Sequence, residues 1–276
     1  NYELETTGGS IGLGLPLRDD ELRLNLVYRI FDQKLSQNVP SNLSGGLQSS
    51  LGRNLTSAIG YSLVYDTRDS RTDPRDGFYV SFGQEVAGLG GDSRYLSTSI
   101  DARAYKEILP EWGVIGILRA GAGNIFGLGR SLRASDQFQH SDSWLRGFEM
   151  QGIGPRDSLT GDSLGGRWYV HANAEAEFPI LGLPKELGLS GAVFTDFGAV
   201  WDADPAIVNC VGVAACGTTQ VPATVQSNSF QPRVSAGVGV KWASPFGPLR
   251  ADFAWPLLKE SGDRTQFFRI GGGTRF

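Results

Sequence analysis

Apolar and polar residues alternate with a period of two through most of this chain, the spacing of extended strands rather than helices. Between residues 167 and 179 one face carries Trp168, Val170, Ala172, Ala174, Ala176 and Phe178, and the other Arg167, Tyr169, His171, Asn173, Glu175 and Glu177. The same division recurs at Leu22, Leu24, Leu26, Tyr28 and Ile30 against Glu21, Arg23, Asn25 and Arg29. It returns at Leu96, Thr98, Ile100, Ala102 and Ala104 against Ser97, Ser99, Asp101 and Arg103, and at Val234, Ala236, Val238, Val240 and Trp242 against Arg233, Ser235 and Lys241. The pattern predicts about eleven strands, near 8–17, 21–32, 55–66, 77–88, 93–107, 112–124, 167–180, 186–201, 230–243, 249–258 and 265–276.

A soluble sandwich hides its apolar face inside and a membrane barrel turns it outward, so alternation alone leaves both open. Strand length and connections decide. The strands run to about ten to fourteen residues, against roughly five or six in soluble sheets and roughly nine to eleven for a tilted bilayer crossing. Connections at 19–20, 109–111, 181–185 and 245–248 are short, whereas 32–54, 125–166 and 202–229 are long. Short and long largely alternate, as periplasmic turns and outer loops do in outer-membrane barrels, with 68–76 and 88–92 as departures. Tyr65, Trp112, Trp168, Trp201, Trp242 and Trp255 near strand ends suit interfacial girdles.

The expected fold is therefore all-β: a transmembrane antiparallel up-and-down β-barrel forming a single domain over residues 1–276. Slipping the pleat by one residue would place Glu175, Glu177 and Asp196 in lipid, so its register is strongly specified. Eleven strands is an odd number, whereas single-chain bacterial barrels close with an even one. At least one strand is accordingly expected before Asn1, making this the C-terminal part of a larger barrel.

Composition narrows the class further. A 40% hydrophobic content, 38 glycines and a mean hydropathy of −0.17 argue against both disorder and a helical membrane protein. No apolar run approaches the roughly 20 residues of a spanning helix. A net charge of −4 with no basic stripe excludes nucleic acid as a partner. Cys210 and Cys216 lie close together with no further Cys or His nearby to complete a zinc site. A small loop disulfide in an oxidising compartment is expected instead. The chain starts in strand-like sequence, so any secretory leader is expected to have been removed.

Enzymatic chemistry finds little footing. His140 has Ser141 and Ser143 close by, but neither serine sits in a nucleophile elbow, and His171 falls on a strand's polar face. No catalytic residue, metal or cofactor is expected. Glu175 and Glu177 share a face, and Asp196 lies on the polar face of the next strand. A glycosidase pair would want a sugar cleft with aromatics, and calcium a dedicated aspartate-rich loop. An arginine is the economical partner against a generic pore-lining cluster, and Arg146 is available in the 125–166 segment, which has no strand pattern of its own.

Several motifs then fall into one order. Leu145-Arg146-Gly147-Phe148 followed by Gly152-Ile153-Gly154-Pro155-Arg156 resembles the loop signature of the BamA family of outer-membrane protein assembly factors, which are POTRA-barrel proteins. The run from Phe194 through Asp196 and Gly198 to Trp201 resembles that family's Asp-x-Gly strand. Asp66-Thr67-Arg68-Asp69 with Pro74 and Gly77 is similar to its turn hallmark, and Ser244-Pro245-Phe246-Gly247-Pro248-Leu249 to its late hairpin. The resemblance implies a sixteen-stranded barrel behind periplasmic POTRA domains, with about the first five strands and those domains outside this sequence.

By the same resemblance, Arg146 projects from an in-folded loop toward Glu177 and Asp196. Phe268, Ile270, Gly272, Thr274 and Phe276 share one face of a C-terminal strand whose edge templates incoming strands. The implied function is an ATP-independent outer-membrane insertase that uses a lateral gate to fold nascent β-barrel proteins in a Gram-negative bacterium. Its implied partners are those nascent proteins, assembly-complex lipoproteins and the lipid bilayer. A related POTRA-barrel transporter, TamA-like or a two-partner secretion pore, is the alternative, and a passive porin stands further off.

Overall fold

The computed structural model describes residues 2–18, 21–37, 43–139, 144–180, 182, 184, 187–216, 223–244 and 247–272. Its strands are β1 (Tyr2–Arg18), β2 (Leu22–Gln37), β3 (Gly52–Asp66), β4 (Gly77–Gly91), β5 (Tyr95–Leu109), β6 (Val114–Gly127), β7 (Arg156–Asp157), β8 (Trp168–Pro179), β9 (Leu189–Trp201), β10 (Val225–Gln226), β11 (Arg233–Ser244), β12 (Gly247–Leu258) and β13 (Phe268–Gly272). Eleven of them form one sheet in chain order, each antiparallel to its neighbours. The exceptions, β7 and β10, are two-residue strands in separate long connections that pair with each other. The sheet is open: among the described residues, β1 and β13 are its edges and do not pair.

Burial settles which way the two faces point. Leu118 is 60% exposed, Ile100 44% and Ile270 69%, whereas Asp196 is 1% exposed and Arg233 0%. A water-soluble sandwich has the opposite polarity. Apolar side chains outside and charged ones inside are what a sheet surrounded by lipid and curved around a polar lumen requires. Among the described residues no helix is long and apolar enough to cross a membrane.

Several strands outrun the pattern that predicted them. β1 begins at Tyr2 rather than near 8, and β2 continues to Gln37 rather than 32. A 15-residue strand such as β3 is about 50 Å long at about 3.3 Å per residue, and about 38 Å along the membrane normal at a tilt of about 40°. That exceeds the hydrocarbon core of about 30 Å. In the overhang polar Asp32, Gln33 and Lys34 pair in the ladder without alternation.

β13 begins at Phe268 rather than at 265, because the residues before it bond elsewhere. Thr265 bridges to Phe148, and the Gln266 amide donates to the Gly147 carbonyl at 3.1 Å. Thr274 and Phe276 lie outside the described residues.

The short-turn end has one elaborate connection, 67–76. Arg68 pairs with Asp66 at 2.8 Å, and Asp69 Oδ1 accepts from the amides of Ser70, Arg75 and Asp76. The bonds from Arg75 and Asp76 hold the Asp69 carboxyl below its usual range, so this brace is present at neutral pH and is lost on acidification. At the opposite end the long connections pack together. Leu43, Leu47, Leu164, Ala203, Ile207 and Val211 form a buried cluster beneath the short helices α1 (Gly45–Gln48) and α2 (Pro205–Val208). Cys210 and Cys216 are joined by a disulfide beside it, with Cα atoms 5.5 Å apart.

The orientation of the faces makes a quantitative demand. Ile100→Arg, on the lipid side of β5, is expected to cost about 2–4 kcal/mol, read as a lowered midpoint of urea unfolding in lipid vesicles. Ser99→Arg, on the lumenal side of the same strand, is expected to cost less than 1 kcal/mol by roughly the same scale.

Candidate functional site

After β6 the chain does not cross over the outside but folds into the lumen. Leu145 and Phe148 drive this: both are fully buried, and they cluster with Ile153 and Val200 beneath Trp144 and Tyr169. Between the two apolar anchors, Arg146 is carried to the lumenal face of the sheet. Gly147 takes φ +89°, and a Cβ there would sit 3.3–3.4 Å from the Cβ atoms of Ser235 and Ala254. A side chain would strain the backbone and press on two strands at once. Gly198 serves the dock differently, since a Cβ on it would occupy the place of the Trp144 indole.

Each of the three guanidinium nitrogens of Arg146 donates to a carboxylate. Its Nε and Nη2 donate to the two Asp196 oxygens at 2.7 and 2.6 Å, its Nη1 to Glu175 Oε2 at 2.6 Å, and its backbone amide to Asp196 Oδ2 at 3.0 Å. The guanidinium carbon lies 3.4 Å from the centroid of the Phe194 ring. A planar fork with an aromatic floor is a task for arginine and not for lysine. Glu175 is shared: Arg250 donates to both its oxygens at 2.8 Å and reaches Asp252 with Nε at 2.8 Å. One loop residue thus ties together strands β8, β9 and, through Arg250, β12.

Glu177, expected to share Arg146, does not. Its carboxylate is held by Lys241 at 2.6 and 2.7 Å. Two residues along a strand is about 6.6 Å, so Glu177 sits one pleat below the level the docked loop reaches, and Glu175 occupies that level. Asp196 is where it was expected. Phe194, Lys241, Arg250 and Asp252 escaped sequence reasoning. Arg250 and Asp252 carry the same-face spacing of two, but only register across β9, β11 and β12 brings them to Glu175.

His171 lies on the lumenal face, stacked on Trp144 at 5.0 Å, so it packs the loop. His140, Ser141 and Ser143 fall outside the described residues. The carboxylates here all face cations, and among the described residues no group of three His, Cys, Asp or Glu is arranged to hold a metal. The network forms one wall of a lumenal cavity of about 1240 Å³ that opens toward the short-turn end. Its far side is the 67–76 turn, through Arg68, Arg71 and Arg75.

The family model of the Omp85 superfamily domain matches residues 1–276. The chain belongs to the Omp85 superfamily. Among relatives of this Omp85 chain, the outer membrane protein assembly factor BamA of Neorickettsia risticii is 33% identical over 98% of the chain and 34% of its own length. BamA of Neisseria meningitidis is 22% identical over 100% of the chain and 37% of its length. A Xenopus laevis sorting and assembly machinery component 50 homolog B is 26% identical over 84% of the chain and 48% of its length. The crystal structure of BamA from Haemophilus ducreyi lacking POTRA domains 1-3 superposes with a TM-score of 0.79 at 19% identity, covering 98% of this chain and 54% of that one. The Omp85 chain thus has the BamA barrel fold, is an outer-membrane protein, and spans about a third of the length of these bacterial relatives.

Removing Arg146 leaves buried Asp196 without its partner. Arg146→Ala is expected to destabilise the sheet by about 3–5 kcal/mol, measured by urea unfolding in vesicles. Glu175→Gln is expected to open residues 144–166 to limited proteolysis, whereas Glu177→Gln leaves them protected. Equal cleavage of the two variants would contradict the assignment of Glu175, rather than Glu177, to Arg146.

Proposed function

We propose that the complete protein is an outer-membrane insertase that folds nascent β-barrel proteins and delivers them into the bilayer without ATP, with residues 1–276 acting as one transmembrane domain. The observation that carries this reading is the contrast between the two parts of the last hairpin. The residues leading into β13 are bonded to the docked loop, while among the described residues β13 pairs with β12 alone in the sheet, from Phe253↔Phe268 to Leu249↔Gly272. Family membership and the assembly-factor relatives support it.

The mechanism is exchange of hydrogen bonds at a sheet edge. In hydrocarbon an unpaired backbone edge costs several kcal/mol per group, so a nascent strand that pairs there gains what it lacks in lipid. Gly271 and Gly272 weaken β13 as a permanent partner and permit it to bend. Ile270 faces outward, so lipid-facing residues of an incoming strand continue an apolar surface already present. Phe268, Ile270 and Gly272, with Thr274 and Phe276 beyond them, form the proposed lateral-gate edge. Arg146, held by Asp196 and Glu175, keeps the loop and therefore the hairpin in place. Nascent outer-membrane β-barrel proteins are the substrates, and assembly lipoproteins act through domains outside this sequence.

In the full-length protein, Arg146→Ala is expected to lower the levels of outer-membrane β-barrel proteins in cells while the variant itself still reaches the outer membrane. Reversing the charges, Arg146→Asp with Asp196→Arg, is expected to restore part of the loss. Wild-type β-barrel protein levels in the single variant would overturn the role given to the loop.

A further inference from the structure

The last outer connection, 259–267, carries a second buried ion pair, unrelated to the Arg146 network. Arg233, at the start of β11, is 0% exposed, and the side chain of Asp263 is 2% exposed. Their contact is bidentate: Nε and Nη2 of Arg233 each lie 2.9 Å from one Asp263 oxygen. Arg233 spends two more donors nearby, Nη1 on the Gln231 carbonyl at 2.6 Å and Nη2 on Ser227 Oγ at 3.0 Å. Asp263 also accepts the Glu260 amide at 2.7 Å, which closes the turn. Such a pair is fully desolvated and its geometry leaves little play.

Immediately after Asp263 the chain leads into the edge strand. Arg264 exchanges backbone bonds with the docked loop, its amide donating to Gly152 at 2.9 Å and its carbonyl accepting from Glu149 at 3.0 Å. Its Nη2 reaches the Gly161 carbonyl at 2.9 Å, and the Phe267 carbonyl accepts from Ala254 at 2.9 Å. The outer end of β13 is thereby held to β11, to the loop and to β12 at once. The tie to β11 is made by a charged side-chain pair and those of the Arg264 and Phe267 backbones by peptide groups, so a substitution at Arg233 or Asp263 removes the first and leaves the backbone bonds in place.

We propose that Arg233 and Asp263 are positioning residues that clasp the outer end of β13, so that the edge strand moves about a fixed point there. The clasp rests on the proposed edge-strand function only for its consequence in assembly; in itself it is a property of the hairpin. Both residues sit outside the Arg146 network, and neither touches the strand that would receive a nascent chain.

The test is hydrogen exchange on the full-length protein in lipid vesicles, with β5 and β6 as the internal standard of an intact fold. Asp263→Asn is expected to speed exchange of amides 264–270 by at least about tenfold, the scale of losing one buried charged bond, with β5 and β6 unchanged. Arg233→Lys, which keeps the charge and loses the fork, is expected to fall between that variant and wild type. The reversed pair, Arg233→Asp with Asp263→Arg, is expected to recover protection at 264–270. Unchanged exchange at 264–270 in folded Asp263→Asn protein would overturn the clasp. Faster exchange there with wild-type assembly of nascent β-barrel proteins would leave the clasp standing and overturn the edge-strand reading of the function.

Discussion

The Arg146 guanidinium is the contact on which the arrangement of this sheet turns. It is a fixed charge carried by a loop and buried against a strand wall, its side chain only 11% exposed. Taken out of water, such a group stabilises nothing unless carboxylates meet most of its donors. Asp196 and Glu175 do so from adjacent strands, and Phe194 closes one face. Because Glu175 is shared with Arg250, docking the loop also fixes β12. The cost of separating any one of these charges from the others makes the loop an all-or-none element rather than a mobile flap.

That requirement explains the small residues around the dock. Gly147 admits the backbone between Ser235 and Ala254, and Gly198 leaves room for Trp144. The loop in turn supplies what the last hairpin lacks, backbone partners for residues 264–266. Strands in the middle of the sheet have lumenal charges paired and both edges bonded, whereas β13 is bonded in the sheet to β12 alone among the described residues and carries two adjacent glycines. The proposed strand exchange requires an edge strand that is weak without being lost, and the docked loop and the Arg233–Asp263 pair lie at the end where β13 is held.

Membership of the Omp85 superfamily and the BamA-like fold place these features in an outer-membrane barrel. The inverted polarity of the sheet is the physical basis of that location. Leu118 and Ile270 face outward as they would in lipid, and the charges that would be expelled from lipid pair inside.

Much of this was legible in the residues. A period of two with one charged face fixes strands and their pleat, because slipping by one residue moves every charge into hydrocarbon. It located all eleven strands of the sheet, and the family resemblance of the motifs, not the period, pointed Arg146 toward Asp196. Beyond the hydrocarbon span no apolar-polar alternation is required, which is why the outer ends of β1 and β2 and the short β7 and β10 went unseen. The choice of Glu175 over Glu177 was also out of reach. Both share a face and a charge, and only the depth to which Leu145 and Phe148 seat the loop decides between them. Arg233 and Asp263, 30 residues apart, carry no local pattern at all. Periodicity within a strand determines which way a side chain points; how far along its neighbours it lands is decided by register and by the loop, which exist only in three dimensions.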